Sequence, residues 1–99
     1  MTEHRNRITT TIKREYLAEI IAGTKTVEYR QIKPYWTRRL KAVTCPFQLR
    51  LRNGMRPPVP EVTVLIDRVG RNLRNGTYKL HIEKVLEFKH WDKKKKIPR

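Results

Sequence analysis

Charged side chains recur at fixed spacing in residues 23–30, which read Gly-Thr-Lys-Thr-Val-Glu-Tyr-Arg. If this segment is a strand, Glu28 and Arg30 point to one face, and Lys25 joins them only from a turn or a bulge. A glutamate between a lysine and an arginine stays ionised and holds both cations in place. Its oxygens suit the donors of a base edge, while the cations suit phosphate or carbonyl oxygen. A surface ion pair has the same composition, so both interpretations stay open.

The segment follows a predicted strand and helix that would position it. Ile8, Thr10 and Ile12 alternate with Thr9 and Thr11, which predicts a short first strand. A helical stripe comes next, formed by Tyr16, Leu17, Ile20 and Ile21. Gly23 suits the end of that helix because glycine readily adopts the left-handed conformation of a C-cap. Residues 25–30 then form the second predicted strand.

The remaining pattern predicts another helix and at least three strands. Pro34 suits the first turn of a short helix that carries Tyr35, Trp36 and Leu40 inward. Residues 47–52 alternate as a half-buried strand, and residues 62–66 continue the alternation up to a bulge near Asp67. Asn75-Gly76 predicts the turn of a long hairpin. This order favours a mainly β protein with two short helices, folded as a small closed or nearly closed barrel.

A length of 99 residues suits one domain, which we place at residues 8–91. Residues 1–7 are expected to form a flexible N-terminus. Residues 92–99 contain four consecutive lysines and no periodicity, so we expect a flexible basic tail. The single cysteine, Cys45, excludes an internal disulfide framework. With no signal-like or membrane-spanning apolar stretch, we expect an intracellular, cytoplasmic protein.

The charge is strongly positive, with 24 Lys and Arg against 9 Asp and Glu, for a net +15. Residues 29–60 contain no acid and eight basic residues: Arg30, Lys33, Arg38, Arg39, Lys41, Arg50, Arg52 and Arg56. Unopposed positive charge favours an anionic partner, and RNA is the commonest one. A membrane is not expected. An acidic protein fits the same charge, and so does a solubilising surface.

Two aromatic residues lie within that basic stretch. Unstacked RNA bases pack on aromatic rings and on guanidinium planes, so Tyr35 and Trp36 are candidates for stacking. Either residue can instead be a core anchor of the short helix. For Tyr35 the two interpretations are equally compatible with the sequence, and for Trp36 the core role is favoured. Arg50 and Arg52 share the polar face of one strand, where they would contact phosphates or simply face solvent.

The spacing Gly-x-Lys-x-x-Glu-x-Arg directly after a helix resembles the signature of ASCH domains, the activating-signal-cointegrator homology family. The resemblance covers residues 11–30, and the later strands agree in pattern only. It implies a small PUA-like β-barrel associated with RNA. It also implies a cleft between barrel and helices that binds RNA or a nucleoside, lined by Lys25, Glu28 and Arg30.

Some members of that family resemble hydrolases, either a nucleoside amidohydrolase or a ribonuclease. In such an enzyme Lys25 would be the catalytic amine and Glu28 the acid or base. The amidohydrolase type has a threonine at the Glu28 position and a glutamate on an inserted segment, and this chain departs from it at both places. An enzymatic function is therefore the less favoured interpretation of the sequence. His4, His81, His90 and Cys45 do not cluster, so we expect no metal and no cofactor.

The residues predicted to contact RNA are Lys25, Glu28, Arg30, Lys33, Tyr35, Arg38, Arg39, Lys41, Arg50 and Arg52. Two alternatives stay open. One is a small hydrolase of RNA or a modified nucleoside that uses Lys25 and Glu28. The other is a basic adaptor that binds an acidic protein through residues 29–60.

Overall fold

Strands outweigh helices in the computed structural model, which describes residues 6–99. The elements are β1 (Arg7–Thr11), α1 (Arg14–Ala22), β2 (Val27–Gln31), α2 (Pro34–Lys41), β3 (Phe47–Arg52), β4 (Glu61–Asn72), β5 (Thr77–Lys89), β6 (Trp91–Asp92) and β7 (Ile97–Pro98). The predicted class, mainly β with two short helices, is confirmed. The element boundaries differ from the predicted ones by one or two residues. β2, for example, begins only after the turn that contains Lys25.

Five strands form one curled sheet in the order β1-β3-β4-β5-β2. β1 runs parallel to β3, and every other neighbouring pair is antiparallel. The sheet is a half-barrel, with β1 and β2 as its two edges. These two edges do not pair with each other, and the open half-barrel is compatible with the small barrel-like fold that the sequence predicted.

The core lies between the sheet and α1, which packs against β4 and β5. Alternation in β3 places Phe47, Leu49 and Leu51 inside, as the sequence predicted. Each fully buried side chain of this size contributes about 1.5–3 kcal/mol relative to exposure. The largest fully buried side chains are Phe47, Ile8, Leu17, Ile20, Leu49, Leu51, Ile66, Leu80, Val62 and Val64.

Gly23 ends α1 in the predicted way. Its φ of 85° is left-handed, a conformation that costs little only for glycine. The chain then turns back on the helix, and the backbone amides of Thr24 and Lys25 both donate to the carbonyl of Glu19, at 3.0 and 3.2 Å. Lys25 therefore lies in a turn ahead of β2, which is the condition for it to share a pocket with residues of that strand.

The long hairpin of β4 and β5 has both predicted irregularities. The register passes from Ile66–Ile82 to Arg68–His81, which leaves Asp67 without a partner as a bulge. Residues 73–76 form the turn, and Gly76 has a positive φ of 66°. The bulge increases local twist, which helps the two long strands to follow the curvature of the half-barrel.

Arginine side chains bridge the open edge of β1. Arg30 Nη2 on β2 donates to the carbonyl oxygen of Thr11 at 2.8 Å. Arg39 Nη2 on α2 donates to the carbonyl oxygen of Thr9, also at 2.8 Å. Backbone carbonyls on an edge strand have no ladder partner, so these two guanidinium groups supply one. They also connect α2 and the opposite edge strand to β1.

The chain ends differ in part from expectation. Of the predicted flexible N-terminus, residues 1–5 lie outside the described residues, and Arg7 already belongs to β1. In place of a tail without regular structure, β6 and β7 pair as a short hairpin around four lysines. Asp92 Oδ1 orders its turn by accepting from the amides of Lys94 and Lys95 at 3.0 Å each. Sequence periodicity does not report such a side-chain-capped turn.

Within residues 6–99, neither helix has the length and apolar character needed to cross a membrane.

Candidate functional site

A cleft of about 770 Å³ opens where α1 and β2 meet the end of β1. Its wall consists of Thr11, Ile12, Lys13, Tyr16, Lys25, Glu28, Tyr29, Arg30 and Asn53. Four regions of the chain supply these residues: the end of β1, the start of α1, β2 with the turn that precedes it, and the loop after β3. The motif that the sequence singled out therefore lies at an open site.

Glu28 is the centre of the charged cluster. The residue is only 4% exposed, although β2 is an edge strand of the sheet. Its Oε2 accepts a 2.6 Å hydrogen bond from Arg30 Nη2, and its Oε1 lies 3.5 Å from Lys25 Nζ. Lys25, Glu28 and Arg30 thus converge on one cleft. The Glu28 carboxylate contacts both cations and so fixes their positions in the cleft.

Two tyrosines flank the Lys25 ammonium. Lys25 Nζ lies 5.0 Å from the centre of the Tyr16 ring and 5.3 Å from that of Tyr29. Both distances are within the range of cation–π attraction. Tyr16 is 40% exposed and Tyr29 is 54% exposed, so each ring also presents surface to the solvent. The cleft therefore combines a fixed cation with accessible aromatic surface.

Arg30 has a mainly structural role at the back of the cleft. Its Nη2 serves both Glu28 and the carbonyl of Thr11, and its Cζ lies 5.2 Å from the centre of the Trp36 ring. Trp36 is 7% exposed, which places it in the core, as favoured from the sequence. Arg30 Nε is buried and has no hydrogen-bond partner among the described residues. The Lys25 side chain is 15% exposed and that of Arg30 is 19% exposed, but Lys25 has a single ion pair at 3.5 Å and no shorter hydrogen bond among the described residues, so its ammonium keeps donors for a ligand.

Several residues of the cleft were missed by the sequence analysis. Tyr16 was assigned to the buried stripe of α1, but it lies at the edge of that stripe. Asn53 directly follows β3 and lies far along the chain from the motif in residues 23–30. Its Nδ2 donates to the carbonyl of Ile12 at 2.8 Å, which joins the loop after β3 to the end of β1. Lys13 directly precedes α1 and has no signal in the sequence, because only the fold brings it beside β2.

Other predicted RNA contacts lie on α2, outside the cleft wall. Lys33 precedes the helix, and Arg38 and Lys41 are exposed on it. Tyr35 is 51% exposed, and the Arg39 Cζ lies 5.2 Å from its ring centre. Because Arg39 also donates to β1, its guanidinium is held against the protein. The wall of the cleft thus contains no residue of α2, although Arg30 in that wall packs on Trp36 of the helix.

Arg50 and Arg52 lie on the polar face of β3, and they have an acidic partner. Arg50 Nε and Nη2 donate to the two carboxylate oxygens of Glu61, each at 2.8 Å, and Arg52 Nε lies 3.6 Å from Oε1. The hydrogen bond from Arg50 is the main reason why the pKa of Glu61 lies below its usual value. The carboxylate of Glu61 therefore partly neutralises the positive charge of β3. Residues 29–60 alone gave the expectation of unopposed charge, because Glu61 lies directly after this stretch.

Cys45 and His81 lie away from the cleft wall. Cys45 is exposed, and desolvation followed by the charge of Asp67 raises the pKa of its thiol, which disfavours the reactive thiolate. His81 faces Val27 and Arg68 across the sheet. Among residues 6–99, no group of three or more His, Cys, Asp or Glu side chains has an arrangement that holds a metal ion.

Comparisons of this chain with protein-family models, with curated proteins and with solved structures find no match.

Proposed function

We propose that this chain is a cytoplasmic RNA-binding module of the ASCH type, which binds RNA or a nucleoside in the cleft lined by Lys25, Glu28 and Arg30. The observation that carries the proposal is the convergence of these three side chains on one open cleft, at 2.6 and 3.5 Å from the Glu28 carboxylate. The resemblance of residues 23–30 to the ASCH signature and the net charge of +15 support it further.

Each part of the cleft has a chemical task in this proposal. Lys25 contacts a phosphate or a base carbonyl, because its ammonium has one ion pair at 3.5 Å and keeps further N–H donors for a ligand. Tyr16 and Tyr29 offer ring faces on which an unstacked base packs. Glu28 and Arg30 set the position of Lys25 and close the back of the site. A cleft of about 770 Å³ is large enough to hold a nucleoside.

Fluorescence anisotropy with labelled single-stranded and hairpin RNA tests the proposal. Affinity for RNA should fall steeply as salt concentration rises, since binding releases counterions from the phosphates. Lys25→Met should weaken binding by about 1.5–3 kcal/mol, the value of a hydrogen bond to a charged group. Lys84→Met is the matched control, because Lys84 is an exposed lysine outside the cleft wall and outside the predicted RNA contacts. RNA binding that stays undetectable at low salt would overturn the proposal.

A second candidate is a small hydrolase of RNA or of a modified nucleoside. The observation that favours it is the 3.5 Å separation of Lys25 Nζ and Glu28 Oε1 within the cleft, which places an amine beside an acid or base. Turnover of RNA or acylated cytidine should then disappear in Lys25→Ala. Turnover that persists in this variant would remove Lys25 from the catalytic role.

A basic adaptor for an acidic protein gives a third outcome in the same experiments. Capture of an acidic partner that survives nuclease treatment, together with no RNA affinity at low salt, would replace RNA by protein as the ligand. Arg38 and Lys41 on α2 are the exposed cations from residues 29–60 that such a partner would meet.

A further inference from the structure

A second depression, of about 610 Å³, adjoins the cleft. Its wall consists of Lys13, Arg14, Glu15, Ala18, Asn53, Trp91 and Lys96. Lys13 and Asn53 belong to the wall of the cleft as well, so the two hollows meet at these residues. Together they form one groove that runs from Lys25, past the start of α1, to the turn between β6 and β7.

The rim of this depression is basic and its floor is partly apolar. Lys13, Arg14 and Lys96 supply three cations against one acid, Glu15. Across the described part of the chain, none of these four side chains takes part in an ion pair. Trp91, which is 3% exposed, and Ala18 contribute the apolar surface. Cations above an apolar floor suit a polyanion whose sugars and bases are partly apolar.

The lysine turn points to the same use. Residues 93–96 are all lysine, and Lys96 has a φ of 58°, in the left-handed region that glycine and asparagine favour. Asp92 already orders the turn by accepting from two backbone amides. The turn itself therefore needs no lysine at these positions, and what four lysines add is positive charge beside the groove.

Other strongly basic surfaces are less available to a ligand. Arg39 is held by a β1 carbonyl and by Tyr35, while Arg50 and Arg52 share the Glu61 carboxylate. Lys13, Arg14 and Lys96 have no such partner among the described residues, and they lie next to the cleft. The unpaired cations thus favour a bound strand that runs from the cleft to the second depression, rather than one that crosses β3 past Arg50 and Arg52.

We infer that a single-stranded RNA held in the cleft leaves it past Lys13 and Asn53 and places its following phosphates on Lys13, Arg14 and Lys96. The inference rests on the proposed function and adds the path of the strand. Lys25 and the tyrosines hold one nucleotide, and the second depression binds the backbone next to it. The site takes phosphodiester groups of RNA and needs no base identity.

Anisotropy measurements with two RNA lengths test this path. One oligonucleotide of about ten nucleotides spans both hollows, and one of about three occupies the cleft alone. The double variant Arg14→Gln, Lys96→Gln removes the two cations that line only the second depression, and it should lower the slope of log affinity against log salt by roughly 1.4 for the longer RNA, at about 0.7 per phosphate contact. Its affinity for the shorter RNA should equal that of the unmodified chain. Circular dichroism of the variant checks that it folds.

A charge-matched control separates the path from general electrostatics. Arg71→Gln, Arg74→Gln removes two exposed cations outside both hollows and outside the predicted RNA contacts. This control should leave the salt slope for the longer RNA almost unchanged. Equal slopes for the two double variants would overturn the path while leaving RNA binding in the cleft intact. Failure of the unmodified chain to bind either RNA would instead overturn the proposed function, and the path with it.

Discussion

Glu28 and Arg30, two residues apart on β2, are joined by a 2.6 Å hydrogen bond at the back of the cleft. Neighbouring side chains on one face of a strand seldom bury a charge pair at a sheet edge, because an edge is normally accessible to water. Here the half-barrel curls so that Arg30 also reaches the carbonyl of Thr11 on the opposite edge. One guanidinium therefore positions the site and bridges the two edges of the sheet.

This double role predicts strong coupling between Glu28 and Arg30. Glu28→Gln should lower the free energy of unfolding by roughly 2 kcal/mol or more, since removal of one partner leaves a poorly solvated charge without compensation. Arg30→Met should cost at least as much, because it also removes the bond to Thr11. In urea denaturation, the double variant should lose less than the sum of the two single losses. Glu19→Gln, at an exposed carboxylate, is the control and should change little. Additive losses would show that the pair is not coupled.

Arg39 should stabilise the protein from the other end of β1. Arg39→Met should lower the free energy of unfolding by about 1–2 kcal/mol, because the carbonyl of Thr9 loses a charged donor. Arg38→Met removes the neighbouring exposed arginine and should have almost no effect. Thermal or urea denaturation of the two variants compares them directly. Equal stabilities would argue that the bond from Arg39 to β1 contributes nothing.

Acid should destabilise the protein partly through Glu61. Because Arg50 lowers the pKa of Glu61 below its ordinary value of 4.5, the folded state binds this proton less readily than the unfolded state. The stabilisation is complete above the ordinary value and is lost as the pH falls through the lower, folded-state pKa. Arg50→Met should therefore show a shallower loss of unfolding free energy below pH 4.5 than the unmodified chain. Parallel pH profiles would exclude this linkage.

Tyr29 should contribute to RNA affinity through its ring. Tyr29→Leu should weaken binding by about 1–3 kcal/mol, the usual loss for one base stacked on an aromatic side chain, whereas Tyr29→Phe should retain most of it. Tyr35→Leu is the matched control, because Tyr35 has similar exposure but lies on α2 outside the cleft. Anisotropy titrations at one salt concentration measure all three variants. A larger loss for Tyr35→Leu would move the stacking surface to α2.

Local patterns predicted most of the secondary structure. The alternation of β3, the helix end at Gly23, the bulge at Asp67 and the turn at Gly76 each depend on a few neighbouring residues. The motif in residues 23–30 also indicated correctly which side chains converge. These features are encoded within short segments, so periodicity and turn chemistry are sufficient to find them.

Features that depend on register were not predictable in this way. Glu61 meets Arg50 and Arg52 only because β3 and β4 pair with Arg52 opposite Glu61. Lys13 and Asn53 reach the cleft through the parallel pairing of β1 with β3, which no local pattern specifies. The lysine turn is ordered by one side chain, Asp92, and so has no periodic signal. Tertiary pairing thus decides which of the many basic residues are free to bind.

The arginine bridges to β1 also affect how copies of this chain meet one another. An open edge strand is a template on which another chain adds a strand, and this route leads to aggregation. At β1 the carbonyls of Thr9 and Thr11 already accept from Arg39 and Arg30, so an incoming strand must displace two charged donors. The two guanidinium groups therefore disfavour the addition of a strand to β1, and with it the fibril-like growth that such an addition would start.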